Sequence, residues 1–337
     1  MNVIVSLTIS SIAVVVLVLI PLIGVWGLHL HYLFGVVIPY LAAATFFVGI
    51  VYRVVDWAKS PVPFRIPSTC GQQKTLPWVK RTYVDYLDNP DSTLGTVLRM
   101  VLEILCFRSL FRNTKLQFGS GEKIKYASAK WLWLGAIVFH YAFLTVLIRH
   151  LWLFTEPVPF FVQLLNKLDG FLQIFVPTIY LSGFVLGAAV TYLLLRRLFI
   201  PQVRYVSLPA DYFPLLLIIG MAFTGILMRY LLKVDMIKVK ELTLGLVRFS
   251  PRVPDGIGVI FYIHLFLVSS LFAYFPFSKL VHMAGVFLSP TRNLSNNSRA
   301  VRHINPWNYP VKVHTYQAYE DEFREKMKAA GLPVEKE

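Results

Sequence analysis

Cysteine is almost missing from this 337-residue chain: only Cys70 and Cys106 occur, far apart and without CxxC spacing. A zinc site or a cysteine-ligated iron–sulfur cluster needs more thiolates than that, so neither can be built from this chain alone. Charge is scarce too, at 15% of residues, and acidic charge is the scarcer half, with 18 Asp and Glu against 33 Lys and Arg. No internal repeat and no nucleic-acid motif is present. The formal charge of +15 therefore reads as topology bias and headgroup contact, not as nucleic-acid binding. What remains is 56% hydrophobic with a mean hydropathy of +0.60. That lies outside the range of soluble domains and places the chain among polytopic helical membrane proteins.

Apolar runs of about 20 residues are long enough to cross a bilayer. Six are expected, at about 3–24, 34–55, 131–152, 170–195, 212–232 and 257–288. Met1-Asn2 supplies no positive n-region and no small-residue cleavage site follows Gly24, so the first run is kept as a span. Three units result: an N-terminal helix and short link (1–33), a membrane domain with a large polar loop at 56–130 (34–290), and a tail (291–337). Lys and Arg crowd the 56–130 loop, the link after span four (Arg196, Arg197, Arg204) and the tail. These fall on one side, which places both termini in the cytoplasm and the chain in the inner membrane. The loop at 229–256 opposes that assignment, since Arg229, Lys233, Lys238, Lys240, Arg248 and Arg252 would then lie outside. Within the large loop, STLGTVLRMVLEILCFRSLFRN has amphipathic helical spacing, suited to the membrane interface or to a partner subunit. The tail ends in a short amphipathic helix, YEDEFREKMKAAG.

Histidine is costly in a bilayer and usually faces a bundle interior. Four occur in two apolar runs: His140 and His150 in span three, His264 and His282 in span six. On an unbroken helix the second pair is five turns apart on one face, about 27 Å, and the first about 15 Å apart. The two spans run in opposite directions. His140 and His282 thus share the inner half and His150 and His264 the outer half. No Asp, Glu or Cys lies at matching depth to complete a tetrahedral site. Two facing imidazoles suit a planar macrocycle with two axial ligands, a bis-histidine haem specialised for electron transfer. Without CxxCH the haems would be b type. Small residues such as Gly135 and Ala142 leave room for a ring. Arg149 and Lys279, each near a ligand, are candidates for pairing with propionates. Pro276 and Pro177 should kink spans six and four. His29 and His31 sit in a short outer link and read as interfacial.

HLFLVSSLFAYFPFSKLVH closely resembles the last helix of the cytochrome b (gamma) subunit family of respiratory nitrate reductase, and LLLRRLFIPQVRYVSLPADYFPLLLI is similar to that family's inner loop and following helix. The resemblance covers about 34–290. It implies an all-α di-haem bundle with His140 and His282 on the inner haem b and His150 and His264 on the outer. The extra first span, the loop with IPSTCGQQKTLPWVK and the longer tail resemble the membrane cytochrome b subunits of DsrMKJOP-type complexes. That implies menaquinone, a cytoplasmic iron–sulfur subunit similar to heterodisulfide reductase, a periplasmic multihaem cytochrome c and further membrane subunits. The family's quinone site uses a lysine early in the next helix, for which Lys167, beside Asp169, is the nearest counterpart. His303 and His314 fall in the expected docking surface. Two other readings stay open: a nitrate reductase subunit, and a transporter or channel with a histidine proton relay. The second expects intramembrane carboxylates beside the histidines, which the spans lack except near their ends.

Overall fold

A computed structural model describes residues 3–59, 83–111, 115–118, 124–172, 177–296 and 314–336. Cys70 and His303 lie outside the described residues. Six helices are long and apolar enough to cross a membrane: Val3–Gly27, Leu33–Lys59, Lys130–Phe154, Leu181–Phe199, Pro209–Leu231 and Val259–Phe277. A helix closes its backbone hydrogen bonds within itself, which is what an environment without water demands.

The first span comprises α1 (Val3–Pro21) and a π-helical turn to Gly27; the second begins with another such turn and continues as α2 (Ile38–Lys59). The segment between the second and third spans holds α3 (Tyr83–Asp88), α4 (Thr93–Cys106) and α5 (Arg108–Phe111), then a hairpin of β1 (Lys115–Phe118) and β2 (Ile124–Ala127). Ser92 caps α4, its hydroxyl oxygen accepting from the Gly95 N–H at 3.3 Å. The third span is α6 (Lys130–Phe154), followed by a short α7 (Phe160–Asp169) in the link to the fourth span. Next come α8 (Leu181–Phe199), α9 (Pro201–Val206), α10 (Pro209–Ile226), α11 (Met236–Val247) and α12 (Val259–Tyr274). Short α13 (His282–Gly285) and α14 (Pro290–Asn293) lead into the tail, which ends in α15 (Tyr316–Ala329).

Two expectations need correction. The fourth span starts at Leu181, not near 170, so Pro177 precedes the helix instead of kinking it. The sixth span is not one helix to 288. Pro276 lacks the N–H that would continue the ladder, and Phe275–Phe277 tighten into a 3-10 turn. Ser278 then turns extended at φ −121°, ψ 175°, and its hydroxyl oxygen accepts from the Leu280 N–H at 3.1 Å, starting a new helical turn. The five-turn, one-face relation of His264 to His282 is therefore lost.

The basic 229–256 loop is placed by packing. Val239, Leu242 and Leu246 of α11 are buried in one cluster with Val25, Phe34, Leu153 and Tyr262. The Thr243 hydroxyl donates to the Leu153 carbonyl at 2.6 Å, and Tyr40 donates to the Leu246 carbonyl at 2.8 Å. Leu153 closes the end of α6 farthest from Lys130, so α11 sits opposite the large basic loop. Several of its cations serve local bonds: Lys240 pairs with Glu156, and Lys238 donates to the Asp255 carbonyl at 2.8 Å. A second cluster, with Ala142, Leu186, Val190, Leu217 and Leu267, fills the middle of the bundle.

Candidate metal centre: two histidine pairs

The break after Pro276 is what aims His282. Only two short turns separate it from the end of α12, and its ring lies 6.0 Å from that of His140, centroid to centroid, with the planes at 85°. A metal bonded to both Nε2 atoms at about 2.0 Å each would hold the centroids about 6.2 Å apart, so the separation fits an ion between them. His150 and His264 stand toward the other ends of α6 and α12, beside the Val146 carbonyl and Thr224.

The hydrogen bonds fix the tautomers. Nδ1 of His140 lies 2.7 Å from the Ala136 carbonyl, that of His150 2.7 Å from the Val146 carbonyl, and that of His282 2.8 Å from the Lys279 carbonyl. A carbonyl only accepts, so each of these nitrogens carries the proton. His264 uses a hydroxyl instead, with Nδ1 2.9 Å from Thr224 Oγ1. That hydroxyl faces the Gly220 carbonyl at 2.8 Å and the Met221 carbonyl at 3.1 Å, and with its proton on either it accepts from Nδ1–H. All four imidazoles thus offer an unprotonated Nε2, the form that binds a metal, with Nδ1 oriented by a partner.

Room and donor set agree. His140 and His264 are half-buried and His150 and His282 exposed, so side chains fill over none of the four. Gly225 brings α10 close to His264: a Cβ there would stand 3.4 Å from Cε1. Among the described residues no group of three or more His, Cys, Asp or Glu could hold a metal. Two imidazoles per site then leave four equatorial positions for a macrocycle, and the residues fit such a group. Gly135 does other work: a Cβ there would meet Tyr192 at 2.4 Å, so it serves the contact of α6 with α8.

The flanking cations are engaged within the protein. Arg149 forms a buried ion pair with Asp169 at 2.8 Å, donates to Asn166 Oδ1 and Ser182 Oγ, and lies 3.3 Å above the Tyr180 ring. This ties α6, α7 and the start of α8 together. Lys279 pairs with buried Asp211 at 2.7 Å, and Arg197 approaches the same carboxylate at 3.8 Å. The propionate role expected of Arg149 and Lys279 thus competes with protein carboxylates that already match their charges. Lys167 stands exposed on α7, with Asp169 turned inward to Arg149. His29 and His31 stack at 6.2 Å in the link between the first two spans, and His31 touches the edge of Tyr262.

Three features escaped sequence reasoning. Phe107, in the left-handed conformation at φ 49°, lays its ring against His140 at 4.9 Å. Thr224 supports His264. Asp211 holds Lys279, whose carbonyl holds His282. Only Asp211 left a signal: a carboxylate three residues after Leu208, where an N-terminal cap belongs.

Comparison with known proteins adds an independent line. Residues 99–303 match the nitrate reductase gamma subunit family. The chain is 47% identical over 279 residues to the Hdr-like menaquinol oxidoreductase cytochrome b-like subunit of Archaeoglobus fulgidus, covering 82% of this chain and 83% of that protein. It is 42% identical over 274 residues to the protein of the same description in Archaeoglobus profundus, covering 80% and 81%. A shorter match of 33% identity over 118 residues joins it to the respiratory nitrate reductase 1 gamma chain of Escherichia coli, covering 33% of this chain and 51% of that one.

Proposed function

Because the chain belongs to the nitrate reductase gamma subunit family, a family of membrane cytochromes b, we propose that it draws electrons from menaquinol and delivers them to a cytoplasmic iron–sulfur subunit similar to heterodisulfide reductase. The observation that carries this reading is the arrangement of four imidazoles on α6, α12 and α13, each with Nδ1 bonded to a neighbour and Nε2 available. His140 and His282 hold one haem b at the inner level, and His150 and His264 hold a second at the outer level. A haem b with two imidazole ligands supplies a one-electron carrier with no open position for substrate. Two nitrogen donors, each oriented by its Nδ1 bond, would set the position of each haem.

The positive-inside rule places the large basic loop, both termini and the tail in the cytoplasm. The iron–sulfur partner then docks on the inner side, with His314 on its docking surface. Menaquinol is oxidised at the outer end, where α7 presents Lys167 beside the Arg149–Asp169 pair. A periplasmic multihaem cytochrome c and further membrane subunits complete the assembly. The names carried by the Archaeoglobus relatives, menaquinol oxidoreductase subunits, support this direction of flow. The test is reduction of the purified protein in nanodiscs by a reduced menaquinone analogue, followed at the haem b absorbance band. The reading expects reduction by the analogue to approach the extent reached with dithionite. A protein that dithionite reduces and the analogue does not would overturn the menaquinol assignment.

A further inference from the structure

Helix α4 is inverted for a water-facing surface. Leu94, Val97, Leu98, Val101 and Leu105 project over an arc of about 100°, and each is 44–70% exposed. The opposite side carries Thr96, Arg99 and Glu103. Thr96 and Glu103 are buried, and burial lowers the Arg99 pKa from its ordinary value, with Glu103 opposing the shift. Glu103 accepts from the Ser109 N–H at 3.2 Å and pairs with Arg292 of the tail at 3.5 Å. Asn296 binds the turn before the helix, through its N–H to the Pro90 carbonyl at 2.7 Å and its amide to Asn89 Oδ1 at 2.6 Å. The chain's own tail thus covers the polar face and fixes the rotation of the helix with its apolar stripe outward.

The C-terminal end of α4 is fastened to a membrane span. Trp133 Nε1 donates to the Cys106 carbonyl at 2.7 Å, and Tyr141 OH donates to the Leu105 carbonyl at 2.9 Å. Tyr141 lies eleven residues into α6, about 16 Å along its axis. α6 is long and apolar enough to cross a membrane, and a position that far from the end of a crossing helix falls within a bilayer. On α6, Trp131 and Leu134 are likewise exposed and apolar, and the two bonds hold the end of the stripe against that helix. An amphipathic helix with this depth and continuity matches an interfacial membrane helix, and an apolar patch of this extent is costly in water.

We propose that α4 is embedded in the inner leaflet, with lipid acyl chains and not a partner subunit covering the Leu94–Leu105 stripe. Its last turn, through Phe107, then forms a lipid-anchored wall beside His140. The inference stands on the packing of α4 and is independent of the electron-transfer reading. The test places spin labels at Leu94→Cys, Leu98→Cys and Val101→Cys, one at a time, in full-length protein with Cys70→Ser and Cys106→Ser. Power saturation is measured in phosphatidylcholine–phosphatidylglycerol nanodiscs with oxygen and with a water-soluble nickel chelate. Glu325→Cys on the exposed side of α15 is the aqueous reference. Oxygen accessibility should exceed nickel accessibility several-fold on the stripe, with the reverse at Glu325. Nickel exceeding oxygen on the stripe would overturn the proposal. Nickel accessibility that vanishes only when the iron–sulfur partner is added would assign the face to that partner instead. Three separate label sites keep the test decisive if one variant fails to assemble.

Discussion

Removing the Asp211 carboxylate should loosen the segment that carries His282. That segment follows a broken helix, so backbone continuity with α12 does little to hold it. Asp211 is nearly enclosed, at 4% side-chain exposure, and Lys279 is 72% exposed. The carboxylate also accepts from the Leu208 N–H at 3.0 Å, capping α10. Losing a cap of this kind costs about 0.5–2 kcal/mol. The pair with Lys279 is screened by solvent on one side and contributes about 0.2–1 kcal/mol. Asp211→Ala should thus lose about 1–3 kcal/mol. Asp211→Asn, which keeps an acceptor for Leu208, should lose only the smaller part. The Lys279 carbonyl accepts from His282 Nδ1 at 2.8 Å, so the loss should concentrate at the inner pair. Thermal release of haem b, followed by absorbance, should begin earlier in Asp211→Ala, and the inner low-spin signal in electron paramagnetic resonance should broaden before the outer one. Unchanged stability with an unchanged inner signal, or equal damage to both signals, would refute the reasoning.

Gly49→Ala should destabilise the bundle by about 1–3 kcal/mol, since its Cβ would stand 2.6–2.7 Å from ring atoms of Pro276; a thermal melt of the purified protein reads this. Thr224→Val keeps the volume but removes the acceptor for His264 Nδ1–H. A less basic imidazole favours ferrous iron, so redox titration should find the outer haem's potential raised and the inner unchanged. At the tail, the Glu335 N–H, and behind it the Lys336 N–H and Arg324, hold the Glu320 carboxyl below its ordinary value. A depressed folded pKa gives stability that is complete above the ordinary range and vanishes as pH falls through the folded value. Amide exchange at Glu335 and Lys336 should accelerate below about pH 4, and Glu320→Gln should bring the same acceleration at neutral pH.

The spans and the four bilayer histidines are legible in the sequence because both are features of composition: long apolar runs, and costly side chains kept inside them. The pairing of His140 with His282 is legible as well, since antiparallel spans bring the two rings together, with centroids 6.0 Å apart. Orientation is not. The same-face relation of His264 and His282 assumed an unbroken helix, and Ser278, as an internal cap, ends it. The start of span four was misplaced because the apolar run reaches back past Leu181, whereas the helix begins only there and the described residues 177–180 are not helical. The basic loop at 229–256 misleads a charge count because Lys240, Lys238 and Arg229 bond to Glu156, the Asp255 carbonyl and the Thr178 carbonyl. Arg149 and Lys279 looked available for propionates because their partners, Asp169 and Asp211, are remote in sequence.

The most direct measurement is the haem content of the purified chain by pyridine haemochrome, before and after removing one pair. The account predicts two haems b per chain, and one in the His140→Ala, His282→Ala double variant, with the outer spectral component retained. No haem in the wild-type chain, or two in the double variant, would contradict it.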